Sequence, residues 1–385
     1  MKAPDTPHSS GPARAPLAGI RVIDFSTLLP GPMCSLMLAR AGAEVIKIER
    51  PGRGDEMRSY VPQFGSDSVN FALLNQGKRS VALDLKKPAD IEQAIELVRT
   101  ADVLLEQFRP GVMDRLGLGY EAMRAVNPGL VYCAITGWGQ DGPLADVAAH
   151  DLNYQAEAGL LGLTAGADGV PGLPNILAAD IAGGAYPAVM NILLALRAKE
   201  MDGQGRMIDV SMADNLFSFS YWALGNGFAK GQWPETGNEL VTGGTPRYQV
   251  YRTKDGRFIA AAPLEQKFWE NFLRVLGAPH LVDDAQNPRG IRDEVAVIVA
   301  ARTAAEWMRR FEGVDACVSV VKSLREAVES PHFQARGLFN EHIVNDAGER
   351  LPSLHLPINA SFRHGPVSVA PALGEADPAT LRRAP

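Results

Sequence analysis

Three acid–base side chains in this 385-residue chain have types and settings that suit proton transfer. His150 stands in AAHDLNY (148–154), Asp180 in ILAADIAGG 30 positions later, and Glu265 in LEQKF a further 85 positions on. A histidine exchanges its proton near neutral pH, which few side chains do. His150 follows the turn-rich stretch GWGQDGPLADVAA, so it lies at or just before the start of the helix HDLNYQAEAGLL. Asp180 sits where an apolar run meets the Gly-rich start of a long helix, IAGGAYPAVMNILLALRAK (181–199). A helix start offers unpaired amides and the positive end of a dipole. Such amides would hold a developing oxyanion beside the carboxylate, and Gly183 and Gly184 would let a ligand approach the backbone. Each residue also has a plain structural reading: a hydrogen-bonding filler for His150, an N-cap for Asp180, and a first-turn acid for Glu265.

The elements that must position these residues alternate strand and helix through the first 140 residues. IRVIDF (20–25), EVIKIE (44–49), SVALDL (80–85), VLLEQF and LVYCAIT read as strands. MCSLMLARAG and IEQAIELV read as helices, the latter with Ile91, Ala94, Ile95 and Val98 at helical spacing. Pro30, Gly31 and Pro32 read as a turn, and Gly42 as a helix end. Further on, MIDVSMADNLFSFSYWAL reads as a strand and then a helix. The alternation implies an α/β fold with a mainly parallel sheet covered on both faces. Two alternating runs around Lys254-Asp255-Gly256 form a hairpin, followed by the helices EQKFWENFLRVLG, TAAEWMRRFEG and SLREAVES. The expected division is a large α/β domain (1–224), a glycine-rich linker (225–244), a smaller α+β domain (245–330) and a C-terminal return to the large domain (331–385).

Composition excludes some functions. A net charge of −6 does not suit a nucleic-acid partner. Glu49 ends the second strand where a ribose-binding acid would stand, yet LLPGPMCS is not GxGxxG and its prolines remove amides that a pyrophosphate needs. Cys34, Cys133 and Cys317 lie far apart with no CxxC, which reads as reduced, mostly buried thiols in a cytoplasmic protein. No His/Cys cluster suggests a metal. No apolar run of about 18 residues suggests a membrane span, and no signal peptide is visible. The first 16 residues and the last dozen are expected to be loosely held.

The chain resembles the family that joins alpha-methylacyl-CoA racemases with formyl-CoA and carnitine CoA-transferases, the family III CoA-transferases. LAGIRVIDFSTLLPGPMCSLMLARAGAEVIKIERPGRGD matches the family's opening, and NQGKRSVALDLK, ADVLLEQFRPGVMDRLGLGY and AITGWGQDGP match its next segments. The likeness covers about residues 17–345. HDLNY resembles the racemases' HDINY, whereas the transferases lack this histidine. The spacings from His150 to Asp180 to Glu265, GGTPRYQVYRTKDGRF, LEQKF and VDACVSVV also resemble the racemase branch. The chain departs at Ile176, where racemases usually carry Asn (here Asn175), and at Gln266, where they usually carry Pro. Both sites shape the pocket and bear on the substrate.

The resemblance implies a racemase or epimerase (an isomerase of lipid metabolism) acting on 2-methylacyl-CoA thioesters. Two bases, His150 and Asp180, would work on opposite faces of the α-carbon, with an enolate held by helix amides near Asp180. Glu265, from a partner chain, would hydrogen-bond the histidine. No cofactor is implied beyond the CoA of the substrate. Arg50, Lys86, Arg109 and Arg115, at strand ends and turns, would meet its phosphates, with Leu83 and Leu85 beside them. The fold implied is a Rossmann-like large domain and a small domain in an interlocked homodimer. The family's other activity is CoA transfer between acids, with the aspartate as nucleophile; a second base at His150 discriminates against it. A non-catalytic acyl-CoA-binding protein is the remaining alternative. The acyl group is left open.

Overall fold

The computed structural model describes residues 15–164, 166, 170–364 and 369–382. The chain divides into two compact units. The first comprises described residues within 1–154, 177–216 and 337–385, the second those within 155–176 and 217–336. The sequence places its divisions at 224/225, 244/245 and 330/331 instead.

In the first unit the β-branched runs become strands β1 (Arg21–Asp24), β2 (Glu44–Glu49), β3 (Arg79–Ala82), β4 (Val103–Glu106), β5 (Val131–Thr136) and β6 (Arg206–Ser211). They form one parallel sheet in the order β3-β2-β1-β4-β5-β6. Central strands have no wet face, so β1, β4 and β5 are buried at every position. On one face, Ile23, Ile46, Val81 and Leu104 pack with Ala94, Leu97 and Val98 of helix α2 (Pro88–Arg99). On the other, Met33, Leu36 and Met37 of helix α1 (Pro30–Arg40) pack with Phe71, Leu74, Ala185 and Leu356. Each fully buried aliphatic side chain contributes about 1.5–3 kcal/mol.

This strand order is the doubly wound one. Ligands of such sheets sit at the carboxyl ends of the strands, where the order reverses, here between β1 and β4. The turn after β1 is built on buried charge. Leu28 takes a positive φ of 62°, and its amide donates to the Asp55 carboxylate at 3.2 Å. Asp55 pairs with Lys47 at 2.9 Å, and Lys47 Nζ also donates to Ser26 O. Lys78 pairs with Asp24 at 3.5 Å and donates to Pro32 O. Burial pushes the Lys78 ammonium down to about 8, while Asp24 opposes that shift.

Several elements differ from the sequence reading. Pro30 and Pro32 lie in the first turn of α1, because an amide that proline lacks has no intrahelical partner there anyway. Residues 225–230 are helical, within Tyr221–Lys230, where Gly227 leaves room for the Trp233 ring. The C-terminal stretch is anchored as far as it is described: Leu381 is buried, and its carbonyl accepts from Arg21 at 2.8 Å. Residues 1–14 and 383–385, the rest of the expected loose ends, lie outside the described residues. The thiols are mostly buried, as the sequence suggests: Cys34 and Cys133 are buried and Cys317 is exposed.

Among the described residues, Ala178–Asp202 is long and apolar enough, by length and composition, to cross a membrane. It begins with a π-helical segment (Ala178–Ala185) and continues as helix α4 (Tyr186–Asp202). Pro187 has no amide to return to Gly183 O, and that carbonyl accepts from Asn215 Nδ2 at 2.8 Å. The missing donor and the wide turn belong together, since a helix opens where its bonding ladder is interrupted.

The second unit has a three-stranded antiparallel sheet, with β8 (Phe258–Ala261) between β7 (Gln249–Arg252) and β9 (Val318–Val320). Gly256, at φ 76°, turns the hairpin. Phe272 of helix α5 (Gln266–Leu276) stacks with Trp269 of the same helix and with Phe311, and Trp307, Val295 and Val299 complete the core.

Candidate active site

The HDLNY motif is a brace built around its histidine. His150 stands just before helix α3 (Asp151–Glu157), and its carbonyl accepts from Asn153 N and Tyr154 N. Asn153 Oδ1 accepts from the His150 amide at 3.1 Å. The Tyr154 hydroxyl donates to Ala149 O at 2.9 Å, and its ring meets Trp138 edge-on. A Cβ at Gly137 would collide with that hydroxyl, so glycine there admits the tyrosine. The backbone on both sides of His150 is thereby fixed. Its ring is exposed and has no hydrogen-bond or ion-pair partner among the described residues.

Asp151, buried beside it, reaches the second candidate base. Its Oδ1 accepts from Ala179 N at 2.7 Å and from Asp180 N at 3.0 Å. Asp151 therefore caps the segment that carries Asp180, and Asp180 is not the N-cap. Burial pushes the Asp180 carboxyl up to about 6; Asp151 adds to the shift and His150 opposes it. A group balanced there gives and takes protons near neutral pH. Burial also pushes the Tyr154 hydroxyl up, and Asp180 adds to that.

Two expectations about this segment change. The amides of Ala179 and Asp180 are already taken by a carboxylate, so they do not offer an oxyanion site. Gly183 and Gly184 serve packing within the protein. A Cβ on Gly183 would collide with Met212 O, and one on Gly184 would lie 3.1 Å from Met212 Sδ. Sequence reasoning missed Asp151. The only signal for it was an acid at the first helical position after His150.

His150, Asn153 and Tyr154 line a cleft of about 310 Å³ together with Arg109, Trp138 and Met212. A larger cleft of about 740 Å³ opens at the carboxyl ends of β1 and β2 and takes in Arg50, Leu83, Leu85 and Lys86. Phe108 lines both clefts. The segment after β4 is held from two sides: Glu106 Oε2 accepts from Phe108 N at 2.7 Å, and Gln107 Oε1 accepts from Gly31 N at 3.0 Å. Burial pushes the Glu106 carboxyl up to about 8. The structure thus brings Arg50, Leu83, Leu85 and Lys86 into one cleft and Arg109 into the other. Arg115, exposed at the end of Val112–Arg115, is not among the lining residues of either. None of the four cations has an ion-pair partner among the described residues.

The turn chemistry argues against a dinucleotide. Gly31 N and Leu28 N are occupied by side chains. Glu49 is bound at both oxygens by Arg58, at 2.6 and 2.8 Å, so it has no free edge for a ribose.

Glu265 lies in the second unit at the N-cap of α5, exposed, with no side-chain capping bond. The helix therefore begins one residue later than the sequence suggested. Among the described residues, no group of three or more His, Cys, Asp or Glu side chains is arranged to hold a metal.

A sequence profile described as CoA-transferase family III matches residues 17–377. The alpha-methylacyl-CoA racemase of Homo sapiens is 35% identical over 358 residues, covering 91% of this chain and 90% of that one. The acetyl-CoA:oxalate CoA-transferase of Acetobacter aceti is 34% identical over 349 residues, covering 88% of each chain. The crystal structure of a CAIB/BAIF family protein from Brucella suis superposes with a TM-score of 0.79 at 28% identity, covering 94% of this chain and 97% of that one.

Proposed function

The chain belongs to CoA-transferase family III, and we propose that within this family it is a racemase or epimerase of 2-methylacyl-CoA thioesters. The observation that carries the reading is the pair of candidate bases in one unit. His150 opposes the upward shift that burial gives the Asp180 carboxyl, and Asp151, next to His150 in the chain, holds the amides of Ala179 and Asp180. Inverting a carbon needs a base on each face, and this pair supplies two. One base takes the α-proton, the C–H electron pair moves into the thioester as an enolate, and the other base returns a proton to the opposite face. The Asp180 carboxyl, raised to about 6, titrates close enough to neutral pH for this exchange. Enolate stabilisation falls to donors other than the amides of Ala179 and Asp180.

Arg50, Lys86, Arg109 and Arg115 would meet the phosphates of CoA, with Leu83 and Leu85 against its apolar parts. Glu265 would orient the histidine of a partner chain, in a homodimer. The reaction so read needs no cofactor beyond the CoA of its substrate. The proposed setting is the cytoplasm, which would keep the free thiols reduced.

The second reading is CoA transfer, with Asp180 as the nucleophile that forms an acyl anhydride and then a CoA thioester. The transferase from Acetobacter aceti favours it, being nearly as similar as the racemase. The test is incubation with (R)- and (S)-2-methylacyl-CoA in heavy water. Under the racemase reading, α-deuterium enters with loss of configuration, and His150→Ala and Asp180→Ala each reduce exchange by about 10²-fold or more. Absence of exchange, with CoA passing instead to free acids, would establish the transferase reading.

A further inference from the structure

We propose that Asp151 is a positioning residue that sets the two candidate bases against each other: it follows His150 directly in the chain, and its carboxylate holds the amides of Ala179 and Asp180. The inference rests on the reading of His150 and Asp180 as bases. The role assigned is that of the Asp151 carboxylate, which acts through the backbone that carries Asp180.

Geometry comes first. A single oxygen accepts two successive amides, at 2.7 and 3.0 Å, across 28 and 29 positions of sequence. Those amides lie in the first turn of a helix interrupted at Pro187, so the helix ladder alone does not fix where Asp180 points. Asp151 is 6% exposed. Hydrogen bonds to a buried carboxylate are stronger and shorter than neutral ones, and here they tie the start of the π-helical segment to α3. Any drift of α3 would move His150 and Asp180 together.

Charge comes second. The groups acting on Asp180 are Asp151 and His150, and the Tyr154 hydroxyl feels Asp180 in turn. Charged residues on the other packed elements are engaged elsewhere. Arg40 on α1 pairs with Glu341 at 2.8 Å. Arg197, Lys199 and Asp202 on α4 pair with Glu200, Asp102 and Arg206. Asp209 on β6 accepts from Gln140 N and interacts with Asp214. Asp151 is thus the near negative charge that helps keep the Asp180 carboxyl close to neutral pH.

The two effects separate by substitution. Asp151→Asn keeps an oxygen that can accept both amides but removes the charge. Asp151→Ala removes both. The Asp180 carboxyl can be titrated by carbon NMR in the full-length protein without substrate, assigned by its loss in Asp180→Asn. The expected result is a midpoint shifted to lower pH in both Asp151 variants. In heavy-water exchange, the acid limb of the pH–rate profile should shift with it. The Asn variant should stay within about tenfold of the wild-type plateau, while the Ala variant loses about 10²-fold through misplacement. An unmoved Asp180 midpoint in the Asn variant would overturn the electrostatic role. An Ala variant with the same plateau as the Asn variant would overturn the positioning role. Should the Ala variant not fold, Asp151→Ser, whose shorter side chain does not reach both amides, takes its place in the plateau comparison. The titration needs no turnover, so it stands even if the wild-type protein exchanges no deuterium, an outcome that would sink the racemase reading alone.

Discussion

At the scale of single residues, Asp180 links function to stability. Its carboxyl is held up at about 6 against an ordinary 3.8, first by burial and then by Asp151. The folded chain therefore binds this proton more tightly than the unfolded chain. The stability it contributes is present below about pH 3.8 and is lost as pH rises through about 6. Asp180→Asn should accordingly melt at a higher temperature than wild type at pH 7.5, and the difference should vanish below pH 4. The same variant should lose its activity. Thermal melts across pH check this; a variant less stable than wild type at pH 7.5 would contradict it. A site that stores such a cost is what a stability–activity trade-off looks like at one residue.

At the scale of elements, the segment Ala178–Ala185 decides where Asp180 stands. Gly183 and Gly184 lie against Met212, and Asn215 satisfies the carbonyl that Pro187 cannot. Gly183→Ala would press a methyl onto the Met212 backbone and should cost about 1–3 kcal/mol. Because the displaced element carries Asp180, activity should fall by more than the loss of folded protein explains. Asn215→Ala leaves a buried carbonyl without that donor and should cost a similar amount, about 1–3 kcal/mol. Denaturant melts alongside rate measurements on the folded fraction check both. These elements were partly legible in the sequence. The glycines and Pro187 were read correctly as the start of a helix, but not as a π-helical segment, because period alone does not distinguish a four-residue from a five-residue ladder.

At the scale of the whole molecule, each unit leaves large apolar side chains exposed. In the first, Met190, Leu193 and Leu194 stand on α4; in the second, Tyr221, Phe228 and Trp233 stand in and after Tyr221–Lys230. Exposed apolar groups at this density mark surfaces that meet something, and the proposed occupant is a second copy of the chain. Light scattering should give a homodimer that persists on dilution to nanomolar protein, and Leu194→Glu should weaken it. A wild-type monomer at micromolar concentration would contradict the proposal, together with the partner-chain role of Glu265. The same α4 belongs to the one described helix apolar enough to cross a membrane, and a dimer interface of this kind would account for that composition.

The sequence by itself determined the α/β alternation, the mainly parallel sheet and the residue types of the candidate site. Those features follow from local rules: β-branched runs, helical spacing and turn residues act over a few positions. The match over residues 17–377 agrees with that reading. The tertiary structure decided what local rules do not carry. It gave the amides beside Asp180 to Asp151, 28 and 29 positions away, and it bound Glu49 to Arg58. It divided the cations Arg50, Lys86, Arg109 and Arg115 between two clefts and an exposed turn. Hydrogen-bond donors and charges are satisfied by whichever partner the fold brings near, and nothing in their spacing along the chain names that partner.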